Sequence, residues 1–203
     1  MLGELLGATD VWVACHGYAQ LARYFVRPFA AIVEPGRAVV APEALNRYYS
    51  ESAPGVHGPD ARVAATWMTR EDRDAEIADY VAYLDALVHV VRGAAPGARI
   101  TALGFSQGAQ TVSRWAVRGS ARLDRVILWG SGVAHDIALQ EGSLRGADVV
   151  LAAGEQDRHY DPQRAEADRA RLDEAGTHAR VFRHGGGHRI TAESLTSLLG
   201  FLQ

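Results

Sequence analysis

The chain contains no lysine; all 21 of its basic residues are arginine, against 24 acids, for a formal charge of −3. We read the missing lysine as genome composition and draw no function from it. The charge balance leaves no basic surplus of the kind that nucleic-acid binding requires. There is one cysteine, Cys15, so no internal disulfide can form. It lies in an apolar strand pattern, which suits a small buried hydrophobe better than a nucleophile. No apolar run reaches the roughly 20 residues needed to span a bilayer. The opening stretch, Met1 to Gly7, has no basic segment and carries Glu4, which makes it a poor signal peptide. These absences fit a cytoplasmic protein. No His-Glu-x-x-His and no close His/Cys cluster occurs, so no metal site and no cofactor is expected.

What is present reads as one domain over residues 1–203, with 48% hydrophobic and 22% charged residues and no linker or repeat. Its organising stretch is Gly104-Phe105-Ser106-Gln107-Gly108, of the form G-x-S-x-G. A strand-like run, Arg99 to Leu103, precedes it, and a helix-like run, Ala109 to Val117, follows. That is the context of a nucleophile elbow, a tight turn that projects a serine hydroxyl away from a sheet. The N–H of Gln107, at the start of the helix, would face a developing oxyanion.

Six strands are expected: Asp10–Cys15, Arg37–Ala41, Arg99–Leu103, Asp124–Trp129, Ala147–Ala153 and Ala179–Arg183. Between them lie helical patterns. One runs from about Gln20 to Ile32, with Pro28 predicting a kink or an early end. The clearest runs from Thr69, a candidate N-cap, to about Arg92, with Ile77, Tyr80, Val81, Leu84, Leu87, Val88 and Val91 on one face. Others follow Pro162 and Thr191. Residues 1–9 read as a short helix or a frayed edge strand. From Glu43 to Met68 no clean period appears, and we expect a long connection there. Strands alternating with helices predict an α/β fold: a mainly parallel sheet of about six strands, helices on both faces, no cap domain.

In such a sheet function gathers at the carboxyl ends of the strands. Four ends carry suggestive residues: His16-Gly17-Tyr18, Ser106, Asp157 and His188. The order Ser, Asp, His is that of the α/β-hydrolases. A serine hydroxyl needs an imidazole to take its proton, and the imidazole needs a carboxylate to fix its tautomer. Of eight histidines, His188 lies on a glycine-rich loop past the last strand; His184 is its rival. His16 reads as structural. His57, His89, His135 and His178 have ordinary loop or surface readings, whereas His159 follows Asp157 and could line a pocket. Asp161 and Glu155 are the alternatives to Asp157. The Tyr18 N–H would be the second oxyanion donor. Trp67 and Met68 read either as acyl-pocket walls or as core.

Four segments together resemble the phospholipase/carboxylesterase group of α/β-hydrolases, which includes small bacterial carboxylesterases and acyl-protein thioesterases. They are Val13-Ala14-Cys15-His16-Gly17, the elbow, Gly154-Glu155-Gln156-Asp157 and Gly186-Gly187-His188. The similarity runs from about Val11 to Leu199. It implies Ser106 as nucleophile, His188 as general base, Asp157 as its orienter, and an oxyanion hole from the N–H groups of Tyr18 and Gln107. The loop His16-Gly17-Tyr18-Ala19-Gln20 departs from the group's more usual H-G-x-G-D. The group's early edge strands are missing or reduced to residues 1–9, which leaves an edge that a second copy, in a homodimer, could cover. The expected substrate is a small-molecule carboxylic ester of short to medium acyl length, with Trp67, Met68, Val133, His159 and Ile190 around it. The alternatives are an acyl thioesterase or lysophospholipase with the same residues, or a non-catalytic ligand-binding protein on this scaffold.

Overall fold

The computed structural model describes residues 1–50, 58, 61–140, 144 and 146–203. Strands and helices are numbered in chain order. The six expected strands are β1 (Asp10–Cys15), β2 (Arg37–Val40), β5 (Arg99–Phe105), β6 (Arg125–Trp129), β7 (Asp148–Gly154) and β8 (Ala179–His184). They form one sheet in the order β2-β1-β5-β6-β7-β8, every neighbouring pair parallel. A parallel sheet is covered on both faces, so its inner strands are apolar throughout, whereas the edge strand β8 alternates, with Arg180 and Arg183 exposed. In β1 the two faces separate cleanly. Val11, Val13 and Cys15 pack towards α2 (Arg73–Ala94), α3 (Gln107–Arg118) and α4 (Pro162–Glu174). Trp12 and Ala14 pack on the other face against Phe29 and Ile32 of the 3₁₀ segment Arg27–Ile32 and Leu195 and Leu198 of α5 (Ala192–Phe201).

The chain leaves β1 for β2 on one side, then returns to β5 on the other side of β1. The crevice between the carboxyl ends of β1 and β5 is therefore the topological switch point, where ligands of such sheets bind. His16-Gly17 and Ser106 directly follow these two strands.

The helix expected over 20–32 is broken into one turn, α1 (Ala22–Phe25), and the 3₁₀ segment, with Pro28 in the first turn of the latter. Proline has no N–H to continue an α-helix but suits a first turn. Thr69 is not the cap of α2. Its N–H and hydroxyl bond to Glu76 instead, and α2 starts later, after Asp72. The expected apolar face of α2 is buried at Ile77, Tyr80, Val81, Leu84, Val88 and Val91. The connection over 43–68 holds two strands absent from the sequence reading, β3 (Asn46–Tyr49) and β4 (Val63–Thr66), paired antiparallel from Asn46↔Thr66 to Tyr49↔Val63. Glu76 also accepts from the Asn46 side chain at 2.8 Å, which ties this hairpin to α2. Most of residues 51–60, including His57, lie outside the described residues. Of residues 1–9, Leu2 makes a two-bond antiparallel bridge with Val39 on the β2 edge, at 2.8 and 2.9 Å. Among the described residues no helix is long and apolar enough to cross a membrane.

Candidate active site

β5 and α3 meet at a single residue, Ser106, whose backbone has φ 54° and ψ −116°. For a residue with a Cβ this conformation costs on the order of 1–3 kcal/mol. The two flanking glycines account for the strain. A Cβ on Gly104 would lie 2.1 Å from the carbonyl oxygen of Gly108, and one on Gly108 would lie 2.2 Å from that of Cys15. The turn thus brings α3 against its own strand and against the end of β1 more closely than side chains allow. The Ser106 N–H donates to the carbonyl of Trp129 at 2.8 Å, so the turn is also anchored to β6.

Asp157 and His188 follow β7 and β8, and the structure joins them. The His188 Nδ1 lies 2.7 Å from Asp157 Oδ2. The other carboxylate oxygen, Oδ1, accepts from the backbone N–H of His159 at 2.7 Å and of Tyr160 at 3.1 Å. Asp157 is 4% exposed. Burial alone would raise its carboxyl, but the hydrogen bonds from His188 and the two backbone N–H groups outweigh it and hold Asp157 below the usual carboxylate range. An ionised Asp157 only accepts, so the proton on His188 sits on Nδ1 and leaves the Nε2 lone pair free. The imidazole is wedged between Phe105, at 4.9 Å between ring centres, and His159, at 4.8 Å. It also lies against Gly130, where a Cβ would come within 3.0 Å of its Cε1.

Ser106, His188 and His159 line one open cleft of about 620 Å³ with Tyr18, Gln20, Phe105, Gln107, Gln110 and Ser131. The backbone N–H of Gln107 belongs to the first turn of α3, where N–H groups have no acceptor within the helix. The Gln107 side chain does separate work. Its amide nitrogen donates to Thr66 Oγ1 at 2.8 Å and to the Met68 carbonyl at 3.1 Å, and its oxygen accepts from the Trp67 N–H at 3.2 Å. It pins the exit of β4 to the elbow.

The loop after β1 is built in a similar way. His16 is fully buried; its Nδ1 donates to the Gly17 carbonyl at 2.8 Å and its Nε2 accepts from the Ala44 N–H at 3.1 Å. Burial draws this imidazole below its ordinary value, over the opposing effect of the Gly17 carbonyl and Glu43. Ala19 adopts φ 61°, and its N–H bonds the carbonyl of Ala65 in β4 at 3.0 Å. Gln20 turns its side-chain oxygen back to accept from the Gly17 N–H at 2.8 Å. Where H-G-x-G-D would have its second glycine and its aspartate, this loop has an alanine in a backbone region that favours glycine and a glutamine that accepts from Gly17.

Other expected site residues go elsewhere. Trp67 is not a pocket wall: it is wholly buried, and its indole N–H donates to the His16 carbonyl at 2.8 Å. A large ring whose N–H finds a buried acceptor is more stable in the core than at a wet surface. Met68 packs half-buried on the same core and lines none of the clefts around Ser106. Val133 lines a neighbouring cleft with His159, and Ile190 another with Phe105 and His188. His184, the rival imidazole, is buried against Trp129, with ring centres 4.9 Å apart, and its Nδ1 accepts from the Gly186 N–H. Asp161 caps α4 through the N–H of Arg164. Cys15 is buried, and burial pushes its thiol far up. Among the described residues no three His, Cys, Asp or Glu side chains gather as a metal site.

The fold is that of the α/β-hydrolases. Solved structures similar over nearly the whole chain include a carboxylesterase from Mesorhizobium loti (TM-score 0.72, 20% identity, 96% of this chain and 88% of that one). They include acyl-protein thioesterase 2 from Zea mays (TM-score 0.68, 13% identity, 96% and 93%). A phospholipase/carboxylesterase from Dyadobacter fermentans also matches (TM-score 0.66, 16% identity, 98% and 93%). At these identities the likeness establishes the fold. No family model matches the chain, and no curated protein matches its sequence.

Proposed function

We propose that this protein is a serine hydrolase that cleaves carboxylic esters through an acyl-enzyme on Ser106. The observation that carries the reading is a serine held at φ 54° on a glycine-flanked elbow, in the same cleft as an imidazole fixed at 2.7 Å by a buried carboxylate. The His188 Nε2 takes the Ser106 proton as Oγ attacks the ester carbonyl. The resulting oxyanion is met by the N–H groups of Tyr18 and Gln107. Collapse of the tetrahedral intermediate breaks the C–O bond, and His188 returns the proton to the departing alcohol. Water then repeats the sequence on the acyl-enzyme. Asp157 stays ionised and stabilises the imidazolium. A positioned general base contributes roughly 10²–10⁴ in rate, and each oxyanion donor about 10²–10³.

The apolar cleft beside the nucleophile measures about 310 Å³. That is near the lower end of ligand pockets, roughly 300–1,000 Å³, and favours short to medium acyl groups. The same groups would cleave a thioester or a lysolipid, a reading encouraged by the thioesterase among the similar structures. The buried thiol of Cys15 suits a cytoplasmic setting, and the β2 edge beyond Leu2 is where a second copy would pair.

The test is intact-mass labelling with a fluorophosphonate on wild type and Ser106→Ala, beside p-nitrophenyl esters, acyl thioesters and lysolipids. One label lost in the variant, with ester turnover, is the expected result. No label would refute the reading and leave a ligand-binding protein.

A further inference from the structure

The nucleophile cleft opens on one side into a second, apolar cleft that shares Gln20, Phe105 and His188 with it. The walls of this side cleft that the Ser106 cleft does not share include Tyr24, Pro28, Val63, Arg189 and Ile190. Three arginines collect there. Arg189 lines the cleft itself. Arg23 and Arg27 each stack on the ring of Tyr24, both 4.7 Å from its centre. All three are exposed. None has an acidic partner among the described residues, although most of the other arginines do. A cleft that adjoins the Ser106 cleft, is walled by Leu21, Phe25, Pro28, Val63, Phe105 and Ile190, and carries a guanidinium without an acidic partner is complementary to an apolar limb with an anionic tip. Arginine's planar fork suits a carboxylate or phosphate, and the apolar walls lower the local dielectric and strengthen the pairing.

We propose that the preferred substrates are esters whose acyl limb carries a terminal anionic group, carboxylate or phosphate, which Arg189 binds with Arg23 and Arg27 adding to the local field. This rests on the serine-hydrolase reading and names the substrate class of that same site. The acyl carbonyl sits at Ser106, the methylenes run past Phe105, and the anion lies at Arg189. A neutral acyl chain fills the same channel but leaves the guanidinium unanswered.

The experiment compares p-nitrophenyl monoesters of dicarboxylic acids, from butanedioic to decanedioic, with neutral monocarboxylic esters of matched length. Each is corrected for uncatalysed hydrolysis. At the length that spans the channel, kcat/KM for the anionic ester should exceed its neutral partner by about fivefold or more at low salt, the scale of one charge-assisted pair near a surface. The preference should lie mainly in KM, shrink as salt rises, fall in Arg189→Gln and return in part in Arg189→Lys. The double variant R23Q/R27Q should weaken it by a smaller factor, and it remains informative if Arg189→Gln folds poorly. Neutral esters turned over with no anionic preference at any length would overturn the proposal. A preference that survives in both Arg189→Gln and the double variant would overturn it too. No turnover of either series, with no fluorophosphonate label on Ser106, refutes the hydrolase reading and this inference with it.

Discussion

Replacing Asp157 by asparagine and by alanine should produce opposite mixtures of damage. In the native site Oδ1 accepts from two backbone N–H groups, at 2.7 and 3.1 Å, and Oδ2 faces His188 Nδ1 at 2.7 Å. Asparagine has one oxygen and one NH₂ group. Turned one way, its oxygen keeps both backbone bonds and its NH₂ faces His188. Turned the other way, its NH₂ meets two N–H donors, which leaves buried donors unpaired at about 1–3 kcal/mol each. The first orientation wins, so His188 Nδ1 must accept, its proton moves to Nε2, and the lone pair that Ser106 needs is gone. The expected fall in kcat/KM is about 10³–10⁴, with little loss of stability. Alanine removes the acceptor of the same two N–H groups and should destabilise by about 2–6 kcal/mol. It leaves the tautomer of His188 unconstrained, so its residual activity should exceed that of asparagine. Steady-state kinetics on p-nitrophenyl butyrate and denaturant melts of the three proteins decide it. Asp157→Asn within tenfold of wild type, or alanine less active than asparagine while still folded, would refute the reasoning.

Two further outcomes are expected. Ala19→Gly relieves a left-handed alanine worth about 1–2 kcal/mol and adds back about 0.4–1 kcal/mol of unfolded-chain entropy, so Tm should rise by roughly 1–3 °C; a fall in a calorimetric scan would show that φ 61° is not strained there. Stability should also drop in two pH windows. His16 and His184 are drawn down by burial, so each stays neutral in the fold where the unfolded chain protonates; their stabilisation is whole above about pH 6.5 and is lost as pH falls below it. Asp136, Asp148 and Asp157 are held low, so theirs is whole above about pH 4 and is lost below it. Melts from pH 8 to 3 should show both steps, and a curve flat between pH 7 and 5 would contradict the first.

The sheet was legible because its inner strands are buried on both faces, and each therefore reads as a short apolar run closed by glycine or a polar turn; the edge strand β8 showed instead through the alternation of Val181 and Phe182 with exposed arginines. The switch point followed from strand order, and so did the nearness of residues after β1, β5, β7 and β8. The hairpin β3–β4 was not legible. Its strands have four residues each; Asn46-Arg47-Tyr48-Tyr49 is not buried and shows no apolar alternation, and β4 reaches the core only through the small residues Ala64 and Ala65. Its order comes from outside, through Glu76 on Asn46 and Gln107 on the turn after Thr66. Trp67 was ambiguous for a related reason, since only the distant His16 carbonyl explains where its indole goes. Thr69 failed as a cap because the partner it finds, Glu76, is seven residues away, beyond the reach of a local rule. Arg189 carried no signal in the sequence; only the fold puts it in one cleft with Tyr24, on which Arg23 and Arg27 stack.

The contact at Gly108 has a bearing on heat as well as on shape. The Ser106 turn rests on the carbonyl of Cys15 with no side chain between them, so the segments that carry Tyr18 and Gln107 ride on two neighbouring strands inside the sheet, β1 and β5. That contact is made by the first turn of α3 itself, seated against the end of β1, so it lasts as long as α3 stays docked on the sheet. The geometry of the proposed site inherits the rigidity of this buried contact, and it should be among the last features to disappear as the protein melts.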